Sequence, residues 1–343
     1  MRLTEEQRAL RAAVGDLVDR RSNVRVAIDS PSGFDAQLWR TLCGEIGVAS
    51  LHVPAEYGGA GAGLAETCVV TEELGRTLTP TPLLGSAVLA GTALLASGNA
   101  EACARLLPAI AAGTSLAALA VGELSTSDYL TGVADYVLDG DLADILLVAT
   151  SDGLFEVPVD QPGVHRTAVT TMDQTRRLAT VELVNATGRR IGTAAAAATA
   201  FDAARVVLAA EQVGAAAECL RRTVAYSKQR VQFGRPIGGF QALQHRMADV
   251  YVAVETARAA VRAAAEADDP TRAAVASVYC GEVFQLAAAE MIQLHGGIAI
   301  TWEHDAHLFL KRAHGSAHLF PTPPLAGLAG IGELAGPAGG GRG

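Results

Sequence analysis

The chain is poor in positive charge: across 343 residues, 27 basic side chains stand against 36 acidic ones, a formal charge of -9. That balance repels phosphate backbones and leaves no basic stripe for DNA or RNA, so nucleic acid is not expected as a partner. Cysteine is scarce and scattered. Cys43, Cys68, Cys103, Cys219 and Cys280 are odd in number and form no Cys-x-x-Cys pair, which argues against a disulfide framework or a zinc ribbon. They read as small buried apolar residues. No apolar run approaches the roughly 20 residues that cross a bilayer, and the opening "MRLTEEQRALRAA" is a charged amphipathic helix start, not a signal peptide. The expectation is a cytoplasmic protein without a membrane span.

What is present is apolar bulk, half of all residues, enough for a large core or several smaller cores sharing interfaces. From Thr4 to Ala112 the apolar spacing is helical, broken at Pro31 to Gly33, at "VPAEYGGAGAG" and at "TPTPLLG". Between Thr114 and Ile191 it changes to short β-branched runs, "YVLDG", "DILLVAT", "LFEVPV" and "TVELV", separated by Gly, Asp, Asn and Pro. The helical period returns over roughly Phe201 to Gln229, Gln241 to Ala267 and Thr271 to His295. The fold class is therefore mainly α with a small β domain: an N-terminal helical domain over 1–113, a short middle β domain over 114–192, a C-terminal helical bundle over 193–320, and a Pro- and Gly-rich tail over 321–343 expected to be disordered.

Two stretches carry candidate chemistry. In "RVQFGRPIGGFQ", at 230–241, Arg230 ends a long helix, where the dipole favours a cation. The same guanidinium, beside exposed glycine backbone and between the rings of Phe233 and Phe240, also suits a diphosphate and a flat heterocycle. In "EMIQLHGGIAIT" the glycines Gly296 and Gly297 read both as a helix C-cap and as backbone that a ligand can approach, with the Gln293 amide as a donor. His304, His307, His314 and His318 cluster near the C-terminus; on one continuous helix the last three would share a face, but no third ligand type accompanies them, so structural or solvent-facing histidines are expected and no metal.

These stretches, "YSKQRVQFGRPIGGFQALQHRMADV", "QLHGGIAITWEHDAHLFLKRA" and "LHVPAEYGGAGAGLAE", resemble the acyl-CoA dehydrogenase family in the same order over about residues 1 to 320. The resemblance implies a helical, β, four-helix organisation and FAD at a subunit interface. It also implies oxidation of an acyl-CoA thioester at Cα and Cβ: a carboxylate takes the α proton while the β hydride goes to the flavin. Carried over residue by residue, it implies that Arg230, Gln232, Phe233, Ile237, Phe240 and Gln241, with Gln293, Gly296 and Gly297, hold the adenine and diphosphate half of an FAD whose ring lies mainly in a neighbouring subunit. Arg205 matches a position that contacts CoA, although pairing with a helix carboxylate is an equal reading.

The departures are as informative. The two family positions for the base are filled by Phe320, in "LFPT", and Ala204, in "FDAARVV", neither of which can accept a proton. Asp202 lies near but reads as a helix N-cap. The middle domain is short, and the tryptophan strand that would meet a flavin ring is missing. This split resembles the shortened subunit of actinobacterial heterotetrameric acyl-CoA dehydrogenases, some of which act on sterol side-chain CoA thioesters in β-oxidation and steroid catabolism. The implied partners are a homologous base-carrying subunit, an acyl-CoA and an electron-transfer acceptor. The alternatives are a homo-oligomer with an unrecognised base and a structural subunit without flavin.

Overall fold

The computed structural model describes residues 3–267 and 269–320; the tail expected to be disordered lies outside them. The first helical part comprises α1 (Glu5–Arg21), α2 (Val24–Ile28), α3 (Ala36–Thr41), α4 (Leu64–Arg76), α5 (Gly91–Ala96) and α6 (Ala100–Ala111). Helix α1 starts where Thr4 and Gln7 exchange reciprocal hydrogen bonds, a capping box that pairs two otherwise orphaned backbone donors. The break read at "TPTPLLG" ends at Pro82. Leu83–Ala90 then runs as a wholly buried π-helical stretch into α5, because continuous apolar sequence favours burial whatever the turn chemistry before it.

The middle part folds as two four-stranded sheets, one ordered β1-β4-β5-β8 and the other β2-β3-β7-β6. In chain order the strands are β1 (Ala117–Val121), β2 (Glu123–Thr126), β3 (Leu130–Leu138), β4 (Ile145–Thr150), β5 (Gly153–Val157), β6 (Val164–Val169), β7 (Leu178–Ala186) and β8 (Arg189–Gly192). The four runs legible in sequence are β3, β4, β5 and β7. Strand β1, "AALAV", has a single β-branched residue, Val121 at its end, and is held by parallel pairing with β4; tertiary pairing overrides its weak propensity.

The last part is a bundle of α7 (Ala195–Gln229), α8 (Gln241–Ala265), α9 (Pro270–His295) and α10 (Ala306–Ala317). Helix α7 begins six residues earlier than the apolar period suggested, because the run "AAAAATA" at 194–200 is strongly helix-forming. Asp202 therefore sits inside the helix and is not its N-cap. Helix α9 contains a window of mean hydropathy 1.3, long and apolar enough to cross a membrane by length and composition alone. Glu282 and Glu290 interrupt its apolar run, so no unbroken apolar stretch of that length stands in the sequence. Its Phe284, Ala288 and Met291 are buried in the bundle core, as in the centre of a globular domain.

Helices α4 and α7 cross backbone to backbone. A Cβ at Gly75 would stand 2.1 Å from the Glu211 carbonyl oxygen, and one at Gly214 would stand 1.8 Å from that of Glu72, so only glycine permits this approach. Beside the crossing, a buried charge cluster ties the three parts together. Arg176 from the β part and Arg312 from α10 share Glu211 at 2.6 and 3.1 Å, while Arg177 pairs with Asp141 and donates to the Pro31 carbonyl at 2.9 Å. Asp139, enclosed in the same cluster, has its carboxyl pushed up to about 7 by burial.

Candidate functional site

The segment after α7 is a small, largely exposed loop fixed from below. The Tyr226 carbonyl accepts from Arg230 N at 2.8 Å, and Ile237 N donates to the Arg230 carbonyl at 2.8 Å, closing a two-residue ribbon between β9 (Val231–Gln232) and β10 (Arg235–Pro236). A Cβ at Gly238 would meet Ser227 at 3.0 Å, so the second half of the loop rests directly on α7. Above this base the functional groups face outward. Phe233 is 91% exposed at a positive φ of 53°, and its ring stands edge-on to Phe240 at 6.1 Å; Arg235 lies over Phe240 at 4.1 Å. An exposed aromatic in a left-handed conformation is expensive for a monomer and fits a surface awaiting a ligand or partner. Arg230, Gln232 and Gln241 are exposed, and among the described residues no ion pair engages the Arg230 guanidinium.

The second stretch lies beside it. Helix α9 ends at His295, with Gly296 as its C-cap at φ 67°. Nothing stands within 4 Å of where a Cβ would sit on Gly296 or Gly297, so bare backbone faces open space next to the exposed Gln293. Tyr226 joins the two stretches: its ring stacks on His295 at 4.3 Å and its hydroxyl donates to the His295 carbonyl at 3.4 Å. An unpaired guanidinium, open glycine backbone, amide donors and an aromatic pair together fit a dinucleotide. Arg230 would face its diphosphate, Gly296 and Gly297 its close approach, and Phe233 with Phe240 its flat base.

The other predicted positions are closed. Phe320 packs edge-to-face on Phe201 at 5.6 Å, and Arg205 lies over the opposite partner ring, Phe201, at 5.9 Å. Arg205 is buried and its Nη1 donates to Asp202 Oδ1 at 2.7 Å. Ala204 is wholly buried. Phe201 and Phe320, with Leu89, Leu119 and Leu138, wall a cavity of about 400 Å³. Its one carboxylate among the described residues is Asp135, exposed and hydrogen-bonded by the Thr180 hydroxyl at 2.6 Å.

The histidines do not share one helix face. His304 precedes α10, His307 is buried against Trp302, and His314 and His318 are exposed with rings 5.2 Å apart. No group of three or more His, Cys, Asp or Glu among the described residues could hold a metal ion. All five thiols are buried and unpaired, and burial pushes Cys43 up to about 12; they are not nucleophiles. Sequence reasoning missed Tyr226, His295 and Arg235. Tyr226 lies one helical turn before Arg230 and His295 directly before Gly296, so proximity to each motif was the available signal.

Comparison with known proteins meets this geometry. The family models described as "Acyl-CoA dehydrogenase, N-terminal domain" and "Acyl-CoA dehydrogenase, C-terminal domain" match residues 4–114 and 192–318. Acyl-CoA dehydrogenase IpdE2 of Mycobacterium tuberculosis is 47% identical over 322 residues, covering 93% of this chain and 94% of that protein. Among solved structures, a variant of the steroid ACAD Tcur3481-Tcur3483 superposes with a TM-score of 0.86 at 31% identity, covering 96% of this chain and 97% of its own. The ChsE4-ChsE5 complex of Mycobacterium tuberculosis superposes with a TM-score of 0.85 at 29% identity, covering 92% and 93%. The chain, mainly α with a small β domain, belongs to the acyl-CoA dehydrogenase family.

Proposed function

We propose that this chain is the subunit of a heterotetrameric acyl-CoA dehydrogenase that completes the FAD site of a homologous, base-carrying partner and supplies no base itself. One observation carries the reading: Arg230, Gln232, Phe233, Gln241 and Gln293 are exposed, while Phe320 and Ala204, which cannot accept a proton, stand where the resemblance would put the carboxylate. The chemistry FAD supplies when bound is acceptance of the β hydride. This chain's part is to neutralise and orient: Arg230 offers a planar, permanently charged fork to a diphosphate, and Gln232, Gln241 and Gln293 offer amides. Ile237 is half-buried, its N–H donating to the Arg230 carbonyl at 2.8 Å and its carbonyl accepting from Phe240 N at 3.1 Å. Each half of the site is open alone and would exclude water only when a partner covers Phe233 and Phe240.

The substrate class we propose is the CoA thioester of a sterol side chain or steroid fragment, with electrons passed to an electron-transfer acceptor in the cytoplasm. Support comes from the likeness to a steroid ACAD and to a two-chain complex. The working units are residues 1–113, 114–192 and 193–320.

A second reading rests on Asp135, a carboxylate facing the same cavity as Phe320, which would be the base of a homo-oligomer with full sites. The test is acyl-CoA oxidation by the chain alone and co-expressed with a base-carrying partner. We expect turnover only from the pair, lost on removing the partner's base and kept in Asp135→Asn of this chain. Turnover by this chain alone, abolished by Asp135→Asn, would establish the second reading instead.

A further inference from the structure

We infer that Tyr226 is a positioning residue that locks the two halves of the dinucleotide site, Arg230–Gln241 and Gln293–Gly297, into one rigid unit; this rests on the FAD-site reading above. The two halves come from different helices, the end of α7 and the end of α9, and neither loop donates a hydrogen bond to the other. Tyr226 stands in the last turn of α7, whose closing backbone bond, Arg230 N–H to the Tyr226 carbonyl at 2.8 Å, starts the first loop; its side chain ties that turn to the end of α9. Its ring lies on His295 at 4.3 Å with planes 24° apart, and its hydroxyl reaches the His295 carbonyl at 3.4 Å, the residue from which Gly296 departs.

The stack continues outward. His295 is held from behind, its Nδ1 2.8 Å from the Met291 carbonyl, and its ring meets His304 at 4.7 Å. His304 Nδ1 in turn accepts from Ala306 N at 3.1 Å. The next residue, Asp305, is gripped by Arg25 of α2 at 3.0 and 2.8 Å and by Arg222 of α7 at 3.3 Å. The aromatic column thus begins at His295, from which the open glycines depart, and ends beside an ion triad that reaches the first helical part through Arg25. Tyr226 is the member of this arrangement that stands on α7, one turn before Arg230. A side chain so placed sets distances between groups that must meet one rigid ligand together, and misplacement by about 1 Å is enough to loosen such a site.

The test uses the complex of this chain with its base-carrying partner, stripped of flavin and titrated with FAD by fluorescence. Tyr226→Leu removes the stack and the donor and should weaken FAD about tenfold, with kcat at saturating FAD unchanged, since Tyr226 touches no reacting atom. Tyr226→Phe keeps the stack and should stay within about twofold of the parent. A Tyr226→Leu complex that titrates like the parent overturns the inference. Arg230→Ala, run beside it, separates the two failures: FAD weakened by Arg230→Ala but not by Tyr226→Leu sinks only the positioning role, and FAD unaffected by either sinks the site itself. Should Tyr226→Leu fail to assemble, His295→Leu, which removes the other half of the stack, carries the test: unchanged FAD affinity there overturns the inference, and weakened FAD with assembly intact supports it.

Discussion

The loop after α7 and the cavity beside α10 each set an edge-on pair of phenylalanines beside an arginine, yet they end in opposite states. At the loop, Phe233 and Phe240 meet edge-on with Phe233 almost wholly exposed, and Arg230 has no ion-pair partner among the described residues. At the cavity, Phe201 and Phe320 meet edge-on with Arg205 buried against Phe201 and already paired to Asp202. The same ring geometry holds a surface open in one place and satisfies a core in the other. What separates them is whether the charge beside the rings has been neutralised within the chain. A paired, buried arginine is finished structure, whereas an unpaired one beside bare glycine backbone invites an anion.

That contrast can be probed from both ends. The largest expected effect concerns Asp139, which follows Leu138 of the cavity wall and is buried in the charge cluster with Arg176 and Arg312. Burial raises the Asp139 carboxyl to about 7 from an ordinary 3.8, so the folded state keeps its proton longer than the unfolded state. Stability is then full below about pH 4 and falls as pH rises towards 7. Asp139→Asn keeps the left-handed φ of 53° that asparagine tolerates. It should flatten that decline and stabilise the protein above pH 7 by up to about 4 kcal/mol, read as thermal midpoint against pH, with FAD binding unchanged. A pH profile identical to the parent would remove Asp139 from the cluster's energetics.

At the open end, Arg230→Ala should cost about 2 kcal/mol of FAD affinity, roughly thirtyfold, while the complex still assembles; flavin retained through gel filtration reads it. Smaller again is Phe320→Ala, which deletes one edge-to-face ring and should lower stability by about 1.5 kcal/mol without releasing flavin. If it released flavin instead, the cavity would belong to the cofactor site and the contrast would fail. Smallest of all, Asp135→Asn should leave turnover of the complex within about twofold, since the exposed carboxylate is already held by Thr180.

Much of this was legible before any coordinates. Glycine, arginine and aromatic residues in a dozen positions mark a loop because only glycine takes the required backbone and only arginine gives a flat, permanent charge. The helical, β, helical order follows from periodicity. What escaped was set by residues distant in sequence. The helix start at Ala195, which turns Asp202 from a cap into the partner of Arg205, follows from alanine propensity that carries no apolar period. Strand β1 depends on a parallel neighbour 28 residues on. The Tyr226 to His295 stack joins positions 69 apart, and no local pattern announces such a pairing.

The most direct measurement is the flavin stoichiometry of purified protein, by absorbance after denaturation against chain count. A site shared with a partner predicts colourless, inactive protein from this chain alone and one FAD for each pair of chains in the complex. Yellow protein from this chain alone, with one FAD per chain and acyl-CoA oxidation to match, would contradict it.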